Sequence, residues 1–264
     1  MTDIWDAKTY CEFLDLRTRP ARDLLSAIPS SLNPHIVYDL GCGPGNSTAL
    51  LKNRWPDARV TGLDSSADML KEAKTAWPDI SFIQADIANF EADEKIDCLF
   101  ANASLQWLDN HETVIPNLLR FLKPGGVFAI QMPNNFHSPS HQLIIKVLQG
   151  NAAWQPLLNN LIYGVCTEPL YQLPWYYDVL TKADVGSLQL WETEYFQEMA
   201  GYEAIFDWLK GTGLRPVLSV MDRGDQTLFA SLLVKALAKA YTMQANQRVL
   251  LPYRRVFMVG IMQV

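Results

Sequence analysis

From residue 36 to residue 131, short runs of β-branched and apolar residues alternate with longer stretches whose apolar positions recur every three or four residues. Short, continuously apolar runs read as strands buried on both faces, and the longer stretches as amphipathic helices. The pattern predicts strands at 36–40, 59–63, 80–84, 96–101 and 127–131, with helices at about 46–54, 66–76 and 111–122 between them. Parallel strands need crossovers of this length, so the expected class is α/β, a parallel sheet with helices on its faces. The third helix is expected to stop at Lys123-Pro124-Gly125-Gly126, a terminator followed by a turn. An opening helix is expected at 19–27, with Leu24, Leu25 and Ile28 on one face and Pro20 in its first turn.

After residue 132 the rhythm changes. Pro and Asn cluster at 133–139, and aromatic-rich segments with prolines occupy 154–175. A short helix is expected at 176–183, a long strand carrying Leu188 and Leu190 at 186–199, and a last strand at 256–262. Between those strands lie helical stretches at 202–209 and 226–241, the second behind a capping signal, Asp222-Arg223-Gly224-Asp225. A helical insertion of that size between two strands is expected to cover a ligand, so it reads as part of a substrate lid. Residues 1–132 are therefore expected to form a ligand-binding core. Residues 133–264 are expected to supply lid segments, the last two strands and a helical insertion, the whole being one structural domain with a cap.

Composition narrows the function. Hydrophobic residues make up 49% and charged residues 19% of 264, enough to bury a core and too little charge for a disordered chain. The formal charge is −6 and no run of Lys or Arg interrupts it, so a nucleic-acid partner is not expected. Cys11, Cys42, Cys98 and Cys166 are far apart with no C-x-x-C, which fits a reducing cytoplasm. The first residues are acidic and polar, and no run reaches about 18 apolar residues, so neither export nor a membrane span is expected. Of the four histidines, His35, His111, His137 and His141, the last two have helical metal-ligand spacing. Pro139 stands between them and no carboxylate or cysteine partner is evident, so no metal is expected.

The most informative stretch is Val37-Tyr38-Asp39-Leu40-Gly41-Cys42-Gly43-Pro44-Gly45-Asn46-Ser47, a strand running into a loop with glycine at every second position. Such a loop lets a ligand approach the backbone, and the following helix turns its free N–H groups toward it. A dinucleotide fingerprint would carry glycine at position 46. Two carboxylates follow at successive strand ends. Asp64, with Ser65 beside it, is placed to accept from ribose hydroxyls, and Asp86 suits an adenine amino group, with Ile87 and Met69 able to sandwich the ring. A cap or turn role competes for each carboxylate taken singly. The three features in order point to a nucleoside.

Asp39 to Gly45 resembles the cofactor loop of S-adenosylmethionine-dependent methyltransferases of the Rossmann-like class. That resemblance implies a seven-stranded sheet, mostly parallel with an antiparallel C-terminal strand, plus a helical lid. It also implies S-adenosylmethionine as cofactor, with S-adenosylhomocysteine as product. Under it, Gly41, Gly43, Gly45 and Asn46 form the loop. Asp39 would orient the loop backbone and receive the cofactor's amino group, with a cap role for Asp39 as the alternative. Asn102 and Ser104 would leave room for the methionine arm, and Gln106 and Trp107 would face the reacting methyl group. Further segments extend the likeness: Arg17-Thr18-Arg19-Pro20, Thr61 to Ser66, Phe100 to Leu108, Gln131-Met132-Pro133-Asn134-Asn135, Asp207-Trp208-Leu209, Gly211 to Pro216 and Arg255-Val256-Phe257. Through these the chain resembles the trans-aconitate 2-methyltransferase family.

The resemblance implies a small polycarboxylic acid as substrate, esterified on one carboxylate. A carboxylate with a pKa of about 4 is already ionised at neutral pH and needs no general base. No catalytic acid or base is therefore expected, only positioning. Arg215, Arg254 and Arg255 are the candidates to clamp the non-reacting carboxylates, with Tyr195 and Tyr253 as supporting donors, and a surface ion pair is the competing role for each arginine. Arg17 or Arg19 could meet the cofactor's carboxylate instead. Two other readings compete: a methyltransferase for another free acid or a malonyl thioester, and a cofactor-binding protein without transferase activity. Oligomeric state leaves no signature in the chain.

Overall fold

The computed structural model of the chain describes residues 14–160, 171–210 and 213–264. Within it the chain divides into two compact units. The first comprises Met1–Met132, Tyr171–Glu192 and Val256–Val264, the second Pro133–Leu170 and Thr193–Arg255.

A seven-stranded sheet in the order β3-β2-β1-β4-β5-β7-β6 organises the first unit, and the stretches of β6 from Thr193 on and of β7 up to Arg255 belong to the second. Its strands are β1 (Ile36–Leu40), β2 (Arg59–Asp64), β3 (Ser81–Gln84), β4 (Ile96–Asn102), β5 (Leu122–Pro133), β6 (Val185–Met199) and β7 (Val249–Met262). The pairs β1/β2, β1/β4, β2/β3 and β4/β5 are parallel. Trp191 stacks on Phe257 and Tyr195 on Tyr253. One partner advances as the other retreats, so β6 and β7 run antiparallel. Helices α1 (Leu14–Ala27), α2 (Asn46–Arg54), α3 (Ala67–Ala76), α4 (His111–Leu119) and α6 (Leu173–Thr181) also belong to this unit.

The predicted strands appear within a residue or two except β5 and β7, which are longer. Lys123 to Gly126 is not a turn outside the sheet. Ile96 pairs with Leu122 and Cys98 with Val127, so three extra residues bulge from β5 while the ladder resumes on either side. Gly125 takes the left-handed conformation (φ 73°) that lets the strand loop out and return. Pro20 stands inside α1 rather than in its first turn, because the helix begins at Leu14.

In the second unit, α5 (Pro139–Gln149) and α9 (Arg223–Ala240) are joined by α7 (Tyr202–Lys210) and the short α8 (Arg215–Leu218). The expected cap of α9 forms, with the Asp222 side chain accepting the Asp225 N–H at 2.8 Å. Helix α5 has no counterpart among the predicted elements. Pro139 begins it at the position where a missing N–H costs nothing, and Ile144 and Leu148, four residues apart, are buried. Because α5 starts at Pro139, His137 lies outside it, which removes the helical His137/His141 pairing. The Ser140 N–H donates to the Tyr241 hydroxyl at 3.0 Å, and Trp154 packs edge-on against Phe229, so α5 and α9 lie antiparallel.

Packing is close where β7 passes β5. A Cβ built on Gly260 would lie 2.3 Å from the Phe128 ring and 3.1 Å from Val185. Gly260→Ala is expected to lower stability by about 1–3 kcal/mol through overpacking, read from denaturant midpoints. An unchanged midpoint would show that the ring can move aside.

Candidate active site

The strand order reverses at β1, whose neighbours are β2 and β4, and the crevice outside such a switch is where open α/β sheets bind ligands. The glycine loop leaves β1 there. A Cβ on Gly41 would stand 2.3 Å from Ser104 Cβ and 3.2 Å from Ile87 Cδ1, so Gly41 is the contact that brings the loops after β1, β3 and β4 together. Gly43 has open space where a side chain would be, and its N–H donates to Asp64 Oδ2 at 2.8 Å. Gly45 packs on the rings of Phe82 and Trp77, a structural contact, and Asn46 opens α2, half-buried.

Asp39 is held by side-chain hydroxyls at the start of α2 and not by N–H groups of the loop. Its Oδ2 accepts from Ser47 Oγ at 2.6 Å and Thr48 Oγ1 at 2.7 Å, and its Oδ1 is buried without a partner. Asp39 is fully buried, and burial raises its pKa to about 6 against the lowering effect of the two hydroxyls. The loop backbone is held instead by Asp64, through the Gly43 N–H, while its other oxygen accepts the Ser66 N–H at 2.9 Å. Ser65 is exposed, and its carbonyl accepts from the Gln84 amide. Met69 is buried in the first turn of α3, where its N–H donates to Ser66 Oγ. Asp86 is exposed and caps a single 3₁₀ turn, accepting from Ala88 N–H and the Asn89 amide, so the cap role is realised there; Ile87 is half-buried.

After β4 the backbone bends through Ala103, at a φ of 53° unusual for a side-chain-bearing residue, into a 3₁₀ turn, Leu105–Trp107. Gln106 folds back on this bend instead of standing open, its amide donating to the Ala103 carbonyl at 2.8 Å. Trp107 is half-buried. Asn102 Oδ1, Ser104 Oγ and Gln106 Oε1 are buried without partners. With Asp39 Oδ1, four such oxygens lie at the carboxyl ends of β1 and β4 and in the turn after β4. Buried polar atoms left unpaired are costly in isolation, which makes this set fit a polar ligand: the carboxylate and amide oxygens call for donors, and the Ser104 hydroxyl can donate or accept.

The predicted clamp residues lie in the second unit. The pleat of β7 sends consecutive side chains to opposite faces, and this separates the arginine doublet. Arg254 is exposed and pairs with Glu194 at 3.0 Å, the surface ion pair that competed with its clamp role. Arg255 lies on the other face with its guanidinium 5.3 Å from the centre of the Tyr253 ring, and Tyr253 stacks on Tyr195 at 5.1 Å. Tyr195 and Tyr253 are both buried. Burial, reinforced by Arg255, lowers the His141 pKa to about 4. The Arg215 backbone opens α8; its side chain and that of Arg17 lie outside the described residues. Arg19 is exposed on α1. Sequence reading missed Ser47, Thr48 and His141 as members of these clusters. Hydroxyls at 47 and 48, eight and nine residues after Asp39 and in the first turn of the helix that follows the loop, were the available signal for the first two.

A methyltransferase domain model matches residues 37–126. The chain is 44% identical over 257 residues to the trans-aconitate 2-methyltransferase of Azoarcus sp. strain BH72, covering 97% of this chain and 98% of that one. It is 43% identical over 256 residues to the protein of the same name from Escherichia coli strain SE11, covering 97% of each. The solved structure of YcgJ from Bacillus subtilis is similar in fold, with a TM-score of 0.61 and 14% identity over 93% of this chain and 99% of that one. The glycine loop at the switch point and the sheet order thus define a methyltransferase of the Rossmann-like class. Near full-length identity to the first two relatives goes further: the chain belongs to the trans-aconitate 2-methyltransferase family.

Asp39 offers a direct check on the site's electrostatics. Its raised pKa means the folded state holds a proton that the unfolded chain has lost, so its contribution to stability declines as pH rises from about 3.8 to about 6, by about 3 kcal/mol in all. Asp39→Asn lacks this penalty. Its melting temperature is expected to exceed the wild type's by a margin that grows between pH 4 and 6 and stays constant above, while parallel curves would mean that Asp39 ionises normally.

Proposed function

We propose that the first unit binds S-adenosylmethionine and that the enzyme transfers its methyl group to a carboxylate of trans-aconitate, giving a monomethyl ester. The observation that carries the cofactor reading is the set of unpartnered buried oxygens on Asp39, Asn102 and Ser104 around the Gly41–Ser104 contact. Asp39 Oδ1 and Asn102 Oδ1 fit the donors of an α-ammonium group, Ser104 fits the carboxylate, and the open face of Gly43 admits a ligand. Asp64 and Asp86 retain lone pairs for ribose hydroxyls and an adenine amino group, with Ile87 and Met69 near the ring. When bound, the cofactor supplies an electrophilic methyl group on a sulfonium.

The acid needs no base. At neutral pH its carboxylate is already the nucleophile, so what the chain must supply is alignment, worth up to about 7–11 kcal/mol where the geometry is favourable. Cation and anion become neutral products, so donors on the reacting oxygens would hold back the transition state. A cation serves better on the carboxylates that do not react, where bidentate geometry fixes register. Arg255, braced by the Tyr253 ring, suits this role, with Tyr195 and Tyr253 as supporting hydroxyls and Arg215 as a second candidate. Arg254, engaged by Glu194, does not. The buried free thiols of Cys42 and Cys98 fit a reducing cytoplasm.

Pure protein incubated with labelled S-adenosylmethionine and a panel of free acids tests the substrate. Transfer to trans-aconitate in preference to monocarboxylates is expected, and labelling of a thioester or of no acid would overturn the reading. Arg255→Ala is expected to raise the KM for the acid about 10–100-fold with kcat less affected, the pattern for lost ground-state binding. Arg254→Ala should stay within about threefold of wild type, as for other exposed pairs. Equal effects would return Arg254 to the clamp.

A further inference from the structure

His111 begins α4 and Tyr176 lies in α6, 65 residues apart in the chain, and both are buried in the first unit. The Tyr176 hydroxyl is 2.8 Å from His111 Nδ1, and His111 Nε2 is 2.8 Å from the Leu105 carbonyl oxygen. A carbonyl only accepts, so Nε2 carries the proton and Nδ1 accepts from the tyrosine. Burial, outweighing the backbone carbonyls nearby, holds the imidazole neutral. The two bonds form one directional chain that ends on the backbone of the 3₁₀ turn after β4.

That turn is difficult to hold. It follows the left-handed Ala103, and the Gln106 amide holds the Ala103 carbonyl. His111 supplies a second hold at Leu105, whose carbonyl also accepts the Leu108 N–H at 3.0 Å. The Tyr176 ring is itself fixed edge-on by Trp175 and Tyr171, which stack on each other with centroids 3.7 Å apart. The hydroxyl therefore has one direction in which to point.

We propose that Tyr176 and His111 are positioning residues for methyl transfer: through the Leu105 carbonyl they hold the bend in the conformation that presents Asn102 and Ser104 to the cofactor. This rests on the reading that the bend lines the S-adenosylmethionine site. It does not follow from space filling, since phenylalanine would fill the Tyr176 site as well and leave His111 Nδ1 buried with no donor.

Tyr176→Phe is expected to raise the KM for S-adenosylmethionine and the Kd for S-adenosylhomocysteine about five- to twentyfold, with the KM for the acid nearly constant. His111→Gln, which keeps an N–H for the Leu105 carbonyl, should recover most of what His111→Leu loses. The ¹⁵N spectrum should show His111 as the Nε2–H tautomer in the wild type. If Tyr176→Phe and His111→Leu lower the melting temperature but leave cofactor affinity within about twofold, the pair only fills the core and the proposal fails. Ser104→Ala separates this from the underlying site. Loss of affinity in Ser104→Ala but not in Tyr176→Phe overturns the relay alone, and no loss in Ser104→Ala overturns the site reading together with the relay.

Discussion

The loops that follow β1 and β4 meet at Gly41 and Ser104 with no room for a side chain between them. The rest of the candidate site depends on this contact. β1 lies between β2 and β4, so the connections leaving it diverge and the carboxyl ends of the two central strands are left uncovered. The close approach at Gly41 brings the loops after β1, β3 and β4 together. A methyl group at position 41 would part them.

Around that contact two carboxylates serve different ends because their surroundings differ. Asp64 is half-buried and satisfied by the N–H groups of Gly43 and Ser66, so its charge is spread into the backbone and the loop is tied to the end of β2. Asp39 is wholly buried with one oxygen served by hydroxyls and the other by nothing, and burial lifts its pKa toward neutrality. A carboxylate in that state is stabilised by a neighbouring cation, since pairing offsets the desolvation that burial imposes.

Electrostatics are arranged differently in the second unit. There the alternation of a single strand distinguishes two adjacent arginines, one neutralised by Glu194 at the surface, the other laid over a buried tyrosine beside a neutral histidine. Methylation of an anion by a cation destroys charge, so such an enzyme has little use for strong donors at the reacting oxygen and much use for them elsewhere on the acid. One arginine held by an aromatic ring is consistent with that demand; a doublet acting together is not required.

The parallel strands were legible because burial on both faces leaves short apolar runs that little else produces, and the glycine loop because only glycine meets its backbone and contact demands. Family membership was legible for the same reason, in motifs such as those at 39–45 and 100–108. Helix α5 was masked by the prolines and asparagines before it, although Pro139 is a natural first residue of a helix. The bulge in β5 read as a turn because local signals do not reveal that the ladder continues beyond it. What the sequence determined by itself was therefore the class of fold, the loop and the family, each encoded in residues that are neighbours along the chain. Only tertiary structure decided which carboxylate holds the loop backbone, which arginine of the doublet is engaged, and that Tyr176 reaches Leu105 through His111. Those outcomes depend on burial and on partners 21 to 65 residues away, which no local pattern carries.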